Sequence, residues 1–197
     1  MKNRTHISLA CFGLDSELRN DIHYSTGGNG AFEPNGISYP SVVIEGARLL
    51  IYHTARLKGI HAPWYEDLTL TISQDGVSFT HFSRTSVMLG GEREYVGCRP
   101  SCTVKNSEVW RMWCGRFLRG VLGPNNPPHY YYIKHSSASN GSVWMSYYEI
   151  HINYRDAKKF VIAKPCNLKV GYRYLIWYPH RDISYSPSHA KSLDSIY

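Results

Sequence analysis

Several residues of this sequence that could do chemistry stand just ahead of prolines that recur along the chain. Pro40, Pro100 and Pro165 follow one another at intervals of 60 and 65 residues. Arg99 and Lys164 each come directly before one of these prolines. Two cations held at one place suit a carboxylate or phosphate group. The alternative is that each cation pairs with a neighbouring acid.

An acidic side chain occupies one of two matching positions further upstream. Glu94 lies six residues before Pro100, and Lys159 lies six residues before Pro165. A carboxyl group can act as a general acid or base, whereas lysine donates a proton in that way only after strong desolvation. The two matching positions therefore differ in charge and in the chemistry that they could support.

The prolines open a repeated unit of short strands rich in Tyr, Trp, Val and Ile. Each unit has the pattern strand, strand, strand, tight turn, strand. The units cover about 40–80, 100–145 and 165–197, and a less complete copy covers about 5–30. The sequence therefore predicts an all-β protein, a single β-propeller domain built from four-stranded antiparallel blades. About four blades are present.

The tight turns carry a signature of their own. Ser73-x-Asp75-Gly76-x-x-Phe79 and Ala138-x-Asn140-Gly141-x-x-Trp144 align without gaps. Asp or Asn followed by Gly favours a turn with positive φ. We therefore expect left-handed backbone at both glycines and an aromatic ring packed between blades after each turn. A packing role between blades is also expected for Tyr52, Trp113 and Tyr178.

A propeller blade runs from the central channel outward, so the residues ahead of each first strand should line the channel. These are residues 33–40, 94–100 and 159–165. Pseudo-rotation about the channel axis should bring them together although they are about 60 residues apart.

Composition excludes several other classes of protein. The chain has 197 residues, a formal charge of +7 and 14% aromatic residues. That content is too aromatic for a disordered chain, and the composition is not that of a helical bundle. No apolar run approaches the ~18 residues of a membrane span. The basic residues are scattered, so we expect no nucleic-acid partner.

The cysteines and histidines show no pattern typical of a metal or nucleophilic site. The five cysteines contain no Cys-x-x-Cys pair, and no Gly-x-Ser-x-Gly run is present. We therefore expect no metal, no cofactor and a reduced, cytoplasmic protein.

Several motifs, in order, resemble those of bacterial five-bladed propellers related to glycoside hydrolase families 32, 43 and 130. The run Gly30 to Ser38 is similar to the family's G-x-F-D-x-x-G-V opening. The other matching runs are Pro63 to Asp67, Cys98 to Ser101, Val109 to Trp113, Tyr132 to Lys134 and Ile162 to Cys166. The resemblance extends from about residue 5 to the C-terminus, and it implies one blade more than this chain supplies.

The resemblance also implies roles for the carboxylates. Related hydrolases use channel carboxylates as base or nucleophile, as acid, and as a tuning group. Glu33 stands at the family's first-acid position, where Asp is usual, and Glu94 is the candidate general acid, with Glu92 a close competitor. Asp67, after Trp64, is expected to accept a sugar hydroxyl or tune another carboxylate. Each of these acids could instead lie on a solvated surface.

The remaining candidates would bind substrate. Trp64, Tyr65 and His53 could stack on a sugar ring. Arg99, Lys164 and Lys159 could hold an anionic group. Lys159 replaces an acid of the family's pattern, which weighs against ordinary hydrolysis. The sequence therefore predicts a glycosidase-like propeller that processes a glycosidic bond. The alternative is a non-catalytic glycan-binding or accessory domain, and a protein-interaction propeller is a third reading.

Overall fold

A computed structural model of the chain describes residues 7–8, 11–12, 18–19, 23–24, 37–57, 65–76, 78–84, 87–88, 98–117, 131–152, 161–162, 164–181 and 184–193. These residues form strands, turns and bends and contain no helix. No helix within the described ranges could therefore span a membrane.

The strands are, in chain order, β1 (Ile7–Ser8), β2 (Cys11–Phe12), β3 (Leu18–Arg19), β4 (His23–Tyr24), β5 (Ile37–Glu45), β6 (Arg48–Leu57), β7 (Tyr65–Ser73), β8 (Thr80–Arg84), β9 (Val87–Met88), β10 (Cys98–Asn106), β11 (Val109–Phe117), β12 (Tyr131–Ala138), β13 (Trp144–Ile152), β14 (Val161–Ile162), β15 (Cys166–Val170), β16 (Arg173–Arg181) and β17 (Tyr185–Ser192).

Three antiparallel sheets make up most of the described structure. Sheet I has the strand order β5-β6-β7-β8, sheet II has β10-β11-β12-β13, and sheet III has β15-β16-β17. The short strand β14 joins sheets II and III by pairing with β12 and β16, and β9 pairs with β13. The predicted all-β architecture of antiparallel units is confirmed, with four strands in sheets I and II and three described strands in sheet III. The open sheets fit a partial propeller.

The three sheets begin with the same hairpin, which fixes the equivalent positions. The first two strands are joined by two-residue turns at 46–47, 107–108 and 171–172. The first residue of each turn has a positive φ, 59°, 51° and 59° in order. The equivalent positions used below are Ser41, Cys102 and Cys166; Leu49, Trp110 and Tyr174; and Tyr52, Trp113 and Trp177.

Aromatic rings fill the space between consecutive sheets. Between sheets I and II, the buried Tyr52 ring meets Trp110 and Trp144 edge-on, with centroids 6.3 and 5.5 Å away. Between sheets II and III, the ring centroids of Trp113 and Tyr174 lie 6.2 Å apart, and Trp113 is fully buried. The packing roles predicted for Tyr52 and Trp113 are therefore confirmed. Tyr178 packs against the second cluster as well.

The predicted turns also form. Gly76 and Gly141 have φ values of 74° and 70°. The Asp75 carboxylate accepts the Ser78 N–H at 2.7 Å, and the Asn140 amide oxygen accepts the N–H groups of residues 142 and 143 at 3.0 Å. Because the side chain caps its own turn, the Asp-Gly and Asn-Gly pairs determine this geometry locally.

Candidate functional site

The first strands of the three sheets lie side by side and run in the same direction. The Thr103 N–H donates to Ser41 Oγ at 2.9 Å, and the Asn167 N–H donates to Cys102 Sγ at 3.2 Å. Their starting ends therefore meet at one edge of the molecule. We call this edge, formed by residues 37–39, 98–100 and 164–166, the mouth.

Two pre-proline residues from sheets that are not consecutive meet at the mouth. The Lys164 Nζ lies 5.7 Å from the centroid of the Tyr39 ring, a cation–π contact. Tyr39 comes before Pro40 on sheet I, and Lys164 comes before Pro165 on sheet III. The predicted convergence of the pre-proline positions is therefore observed for this pair.

The backbone at both residues is held in an unfavourable conformation. Tyr39 has a φ of 55° and Lys164 a φ of 46°. The left-handed region costs a non-glycine residue about 1–2 kcal/mol, and such residues cluster at functional sites. Tyr39 lies where the pairing of β5 with β6 is irregular, because the register shifts between Ser38 and Ser41.

Two further candidates lie at the mouth end of their strands by register. Ala55 pairs with both Ile37 on β5 and Asp67 on β7, so the Asp67 backbone stands level with the start of sheet I. Arg99 pairs with Gly115 in β10 and β11. The structure describes the backbone of these two residues and not their side chains, so their roles stay predictions.

Five candidates fall outside the described residues: Glu33, Trp64, Glu92, Glu94 and Lys159. The predicted acid–base pair, Glu33 and Glu94, is among them. Their roles also stay predictions.

His53 lies in the interior of sheet I and not on a surface. It is fully buried. Its Nε2 lies 2.9 Å from Thr71 Oγ1, and its Nδ1 lies 2.8 Å from Thr69 Oγ1. Burial, with a smaller contribution from the charge of His81, lowers the pKa of His53 to about 4. A neutral, hydrogen-bonded ring with no exposed face supports the sheet and offers no platform for a sugar.

A cleft opens beside Lys164 on sheet III. Its volume is about 420 Å³. Trp177 and Tyr185 line it and are 45% and 60% exposed. The Arg181 guanidinium lies 5.5 Å from the Tyr185 ring. Lys164 is thus both at the mouth and on the wall of an aromatic cleft.

Sequence reasoning did not single out Tyr39 or Trp177. The signal for Tyr39 was its place before Pro40, which matches the places of Arg99 and Lys164. The signal for Trp177 was its equivalence to Trp113 in the repeat. Periodicity gives both positions, but only the structure shows that one ring faces a lysine and the other faces solvent.

The cysteines differ from one another in their surroundings. Burial raises the pKa of the Cys102 thiol to about 11, while Cys166 is a free, exposed thiol. Cys114 is disulfide-bonded, so the expectation that every cysteine is reduced does not hold there. Within the described ranges, no group of three metal-ligating side chains is found.

Two curated relatives come from Mycobacterium tuberculosis. They are the uncharacterized proteins MT1551 and Rv1502, each 25% identical to this chain over 190 residues. The match covers 96% of this chain and 63% of each relative, so the chain spans less than two thirds of their length. No protein-family model matches the chain.

Solved structures similar to this chain are glycosidase propellers. A Bombyx mori family 32 β-fructofuranosidase gives a TM-score of 0.61 at 13% identity, over 78% of this chain and 33% of that one. A Lactobacillus gasseri sucrose-6-phosphate hydrolase gives 0.64 at 10%, over 82% and 33%. A structure from the family 130 study of β-1,2 mannosidic linkages gives 0.52 at 13%, over 79% and 49%.

At these identities the similarity establishes the fold and not the activity. The resemblance inferred from the sequence motifs is thereby confirmed for families 32 and 130 at the level of architecture. The chain has a glycosidase-like propeller fold, of which it supplies a part.

Proposed function

We propose that this protein is carbohydrate-active and holds a glycan across the mouth. The observation that carries the proposal is the contact between Tyr39 and Lys164, which join two separate sheets at the point where the first strands begin. Strained backbone at both residues supports a functional role, because such strain persists only where the surrounding structure enforces it.

The side chains at the mouth fit a sugar that carries an anionic group. An aromatic ring offers an apolar face to the CH groups of a sugar, and an ammonium group attracts a carboxylate or phosphate. Lys164 is exposed and reaches the mouth from the last described sheet. Similar structures include an enzyme solved with sucrose and a hydrolase named for sucrose 6-phosphate, which supports a sugar ligand.

The reaction we propose is cleavage of a glycosidic bond by two carboxyl groups. Glu94 would protonate the leaving oxygen, and Glu33 would act as base or nucleophile, with Asp67 tuning one of them. Separations of about 5–5.5 Å and about 6.5–9.5 Å would give retention and inversion respectively. The backbone of Asp67 lies level with the start of sheet I, which supports the tuning role proposed for its carboxylate.

The test is glycan cleavage by a matched pair of glutamate variants. Glu94→Gln keeps the shape of the side chain but removes the acid, so release of reducing ends should fall by about 10²–10⁴-fold while glycan binding persists. Glu108→Gln is the control, because Glu108 is exposed in the hairpin turn at the opposite end of the first strands. Unchanged turnover in Glu94→Gln would remove Glu94 from the mechanism.

A second function, glycan binding without cleavage, is favoured by one observation. The position that matches Glu94 in the next unit is Lys159, where the resembling proteins carry an acid. A lysine there suits anion binding better than proton transfer. Binding on a glycan array with no product detectable by mass spectrometry would select this function. Release of new reducing ends would exclude it.

A further inference from the structure

The first strands end at hairpin turns on the side opposite the mouth, and we call this part of the molecule the far end. Between sheets I and II, the far end is closed by Glu45 and Lys105, which form an ion pair. Counted from the turns, Lys169 is equivalent to Lys105, and Asn106 is equivalent to Glu45. The interface between sheets II and III therefore keeps the cation and lacks the acid.

Arg111 brings a second cation to the interface between sheets II and III. Its equivalent on sheet I is the buried Leu50. Arg111 pairs with Val104, so it shares a face of sheet II with Asn106, which lies two residues further along β10. Among the described residues, neither Arg111 nor Lys169 forms an ion pair. One positive and one negative charge in the first interface thus become two positive charges in the second.

The hydrogen bonds at this far end run in one direction and end on a hydroxyl group. Lys169 Nζ donates to Asn106 Oδ1 at 2.6 Å, and Asn106 Nδ2 donates to the Tyr174 hydroxyl oxygen at 2.7 Å. Because an ammonium group can only donate, the amide must turn its oxygen to Lys169 and its N–H to Tyr174. The Tyr174 oxygen is therefore an acceptor, and its own proton remains available for a further acceptor.

Arg111 lies beside this chain of hydrogen bonds. On its face of sheet II it stands between Trp113 and Asn106. The Tyr174 side chain contacts both of these neighbours, with its ring centroid 6.2 Å from that of Trp113. The Arg111 Nε is buried and has no hydrogen-bond partner. A buried donor without an acceptor is costly, so these donors together favour an acceptor from outside the protein.

We propose that the far end of the interface between sheets II and III binds a phosphate group. Arg111, Lys169 and the Tyr174 hydroxyl donate to its oxygens. The planar guanidinium carries parallel N–H groups that match two phosphate oxygens. Two positive charges balance the charge of about −1.5 to −2 on a phosphate monoester near pH 7, whereas a carboxylate carries a single negative charge.

The proposed site is accessible from solvent and separate from the mouth. Arg111 and Asn106 are half-buried and Lys169 is exposed, so an anion can reach all three. Glu108, the nearest acid along the chain, is exposed in the turn after Asn106, and among the described residues it forms no ion pair. Both walls of the site belong to sheets of this chain, and phosphate binding here is independent of the glycan proposed for the mouth.

Titration calorimetry with inorganic phosphate, at about pH 8 and at an ionic strength held constant with KCl, tests the site. Arg111→Leu introduces the residue that sheet I carries at the equivalent position, and Asn106→Glu gives Lys169 the acid that Lys105 has. Each variant should fold, because sheet I already carries the new residue, and each should weaken phosphate binding by about 10–100-fold. Lys191→Gln is the matched control, because it also removes one positive charge, from an exposed residue that pairs with Leu175 on the opposite face of sheet III from Tyr174. It should bind phosphate as the wild type does.

A parallel titration with glycerol 3-phosphate distinguishes the two sources of the phosphate group. Tighter binding of this ester assigns the site to a phosphorylated ligand, tighter binding of inorganic phosphate assigns it to the free ion, and both outcomes support the proposal. Circular dichroism of each variant reports whether it folds. Absence of saturable binding of either compound by the wild-type chain would overturn the proposal. So would unchanged affinity in Arg111→Leu and Asn106→Glu, or an equal loss in Lys191→Gln, which would show an effect of net charge alone.

Discussion

Gly141 is the point at which sheet I contacts the last turn of sheet II. Its replacement by alanine should lower the free energy of unfolding far more than the same change at Gly76. The Tyr52 hydroxyl donates to the Gly141 carbonyl at 2.8 Å in the buried interface. A Cβ at Gly141 would lie 2.9 Å from that hydroxyl oxygen and 3.0 Å from Trp110 Cε2. Gly141 therefore both turns the chain and leaves room for its neighbours.

Gly76 is a matched control for the backbone. It occupies the equivalent turn of sheet I with a φ of 74°, against 70° at Gly141. A Cβ at Gly76 would meet only Leu49 Cδ1, at an ordinary 3.6 Å. Gly76→Ala thus carries the cost of a left-handed alanine alone, about 1–2 kcal/mol.

Gly141→Ala adds the loss of the interface contact to the same backbone cost. Displacing the Tyr52 hydroxyl leaves a buried carbonyl without its donor, which costs about 1–3 kcal/mol. The total is about 2–5 kcal/mol. For a chain of this size, 1 kcal/mol lowers Tm by about 2–4 °C.

The assay is urea unfolding of the two alanine variants, followed by circular dichroism and tryptophan fluorescence. Tyr52→Phe completes a double-mutant cycle, because it removes the hydroxyl that the new Cβ strikes. Gly141→Ala should cost at least ~1 kcal/mol less in the Tyr52→Phe background than in the wild type. Equal destabilisation by Gly76→Ala and Gly141→Ala, or strict additivity in the cycle, would refute the reasoning.

Two further predictions concern single side chains. Lowering the pH from 7 to 4 should destabilise the protein by up to about 3 kcal/mol through His53, because its folded pKa of about 4 lies below the ordinary 6.5 and the unfolded chain takes up the proton first. His53→Gln should remove this part of the pH dependence, and an unchanged urea midpoint profile would exclude it. Ser107→Gly should raise stability by about 1 kcal/mol, because Ser107 is exposed with a φ of 51° where the equivalent Gly46 has 59°. A thermal melt checks this, with Gly46→Ser as the reverse control; a lower Tm in Ser107→Gly would contradict it.

The fold could be predicted largely because its units are short and locally encoded. The Asp75-Gly76 and Asn140-Gly141 pairs give turns that need no distant residue, and alternation of apolar residues gives the strands between them. The spacing of Pro40, Pro100 and Pro165 then gives the repeat. These features also led to the correct family of folds.

The candidate site was predicted less completely, because burial depends on residues distant in sequence. His53 occupies an apolar-alternating strand, and nothing local indicates that Thr69 and Thr71 surround its ring. Tyr39 is a candidate because its ring contacts Lys164, and these two residues are separated in the sequence by the whole of sheet II. The spacing of residues along the sequence does not predict contacts of this kind.

The sequence by itself determined the strand units and their capped turns, because hydrogen bonding and apolar alternation act within a few residues. Only the tertiary structure decided which of the three equivalent aromatic rings are buried. Tyr52 and Trp113 are buried because a sheet follows each of them, and Trp177 is exposed because no described sheet covers it. Burial is a property of what lies opposite a residue, and the repeat alone cannot specify that.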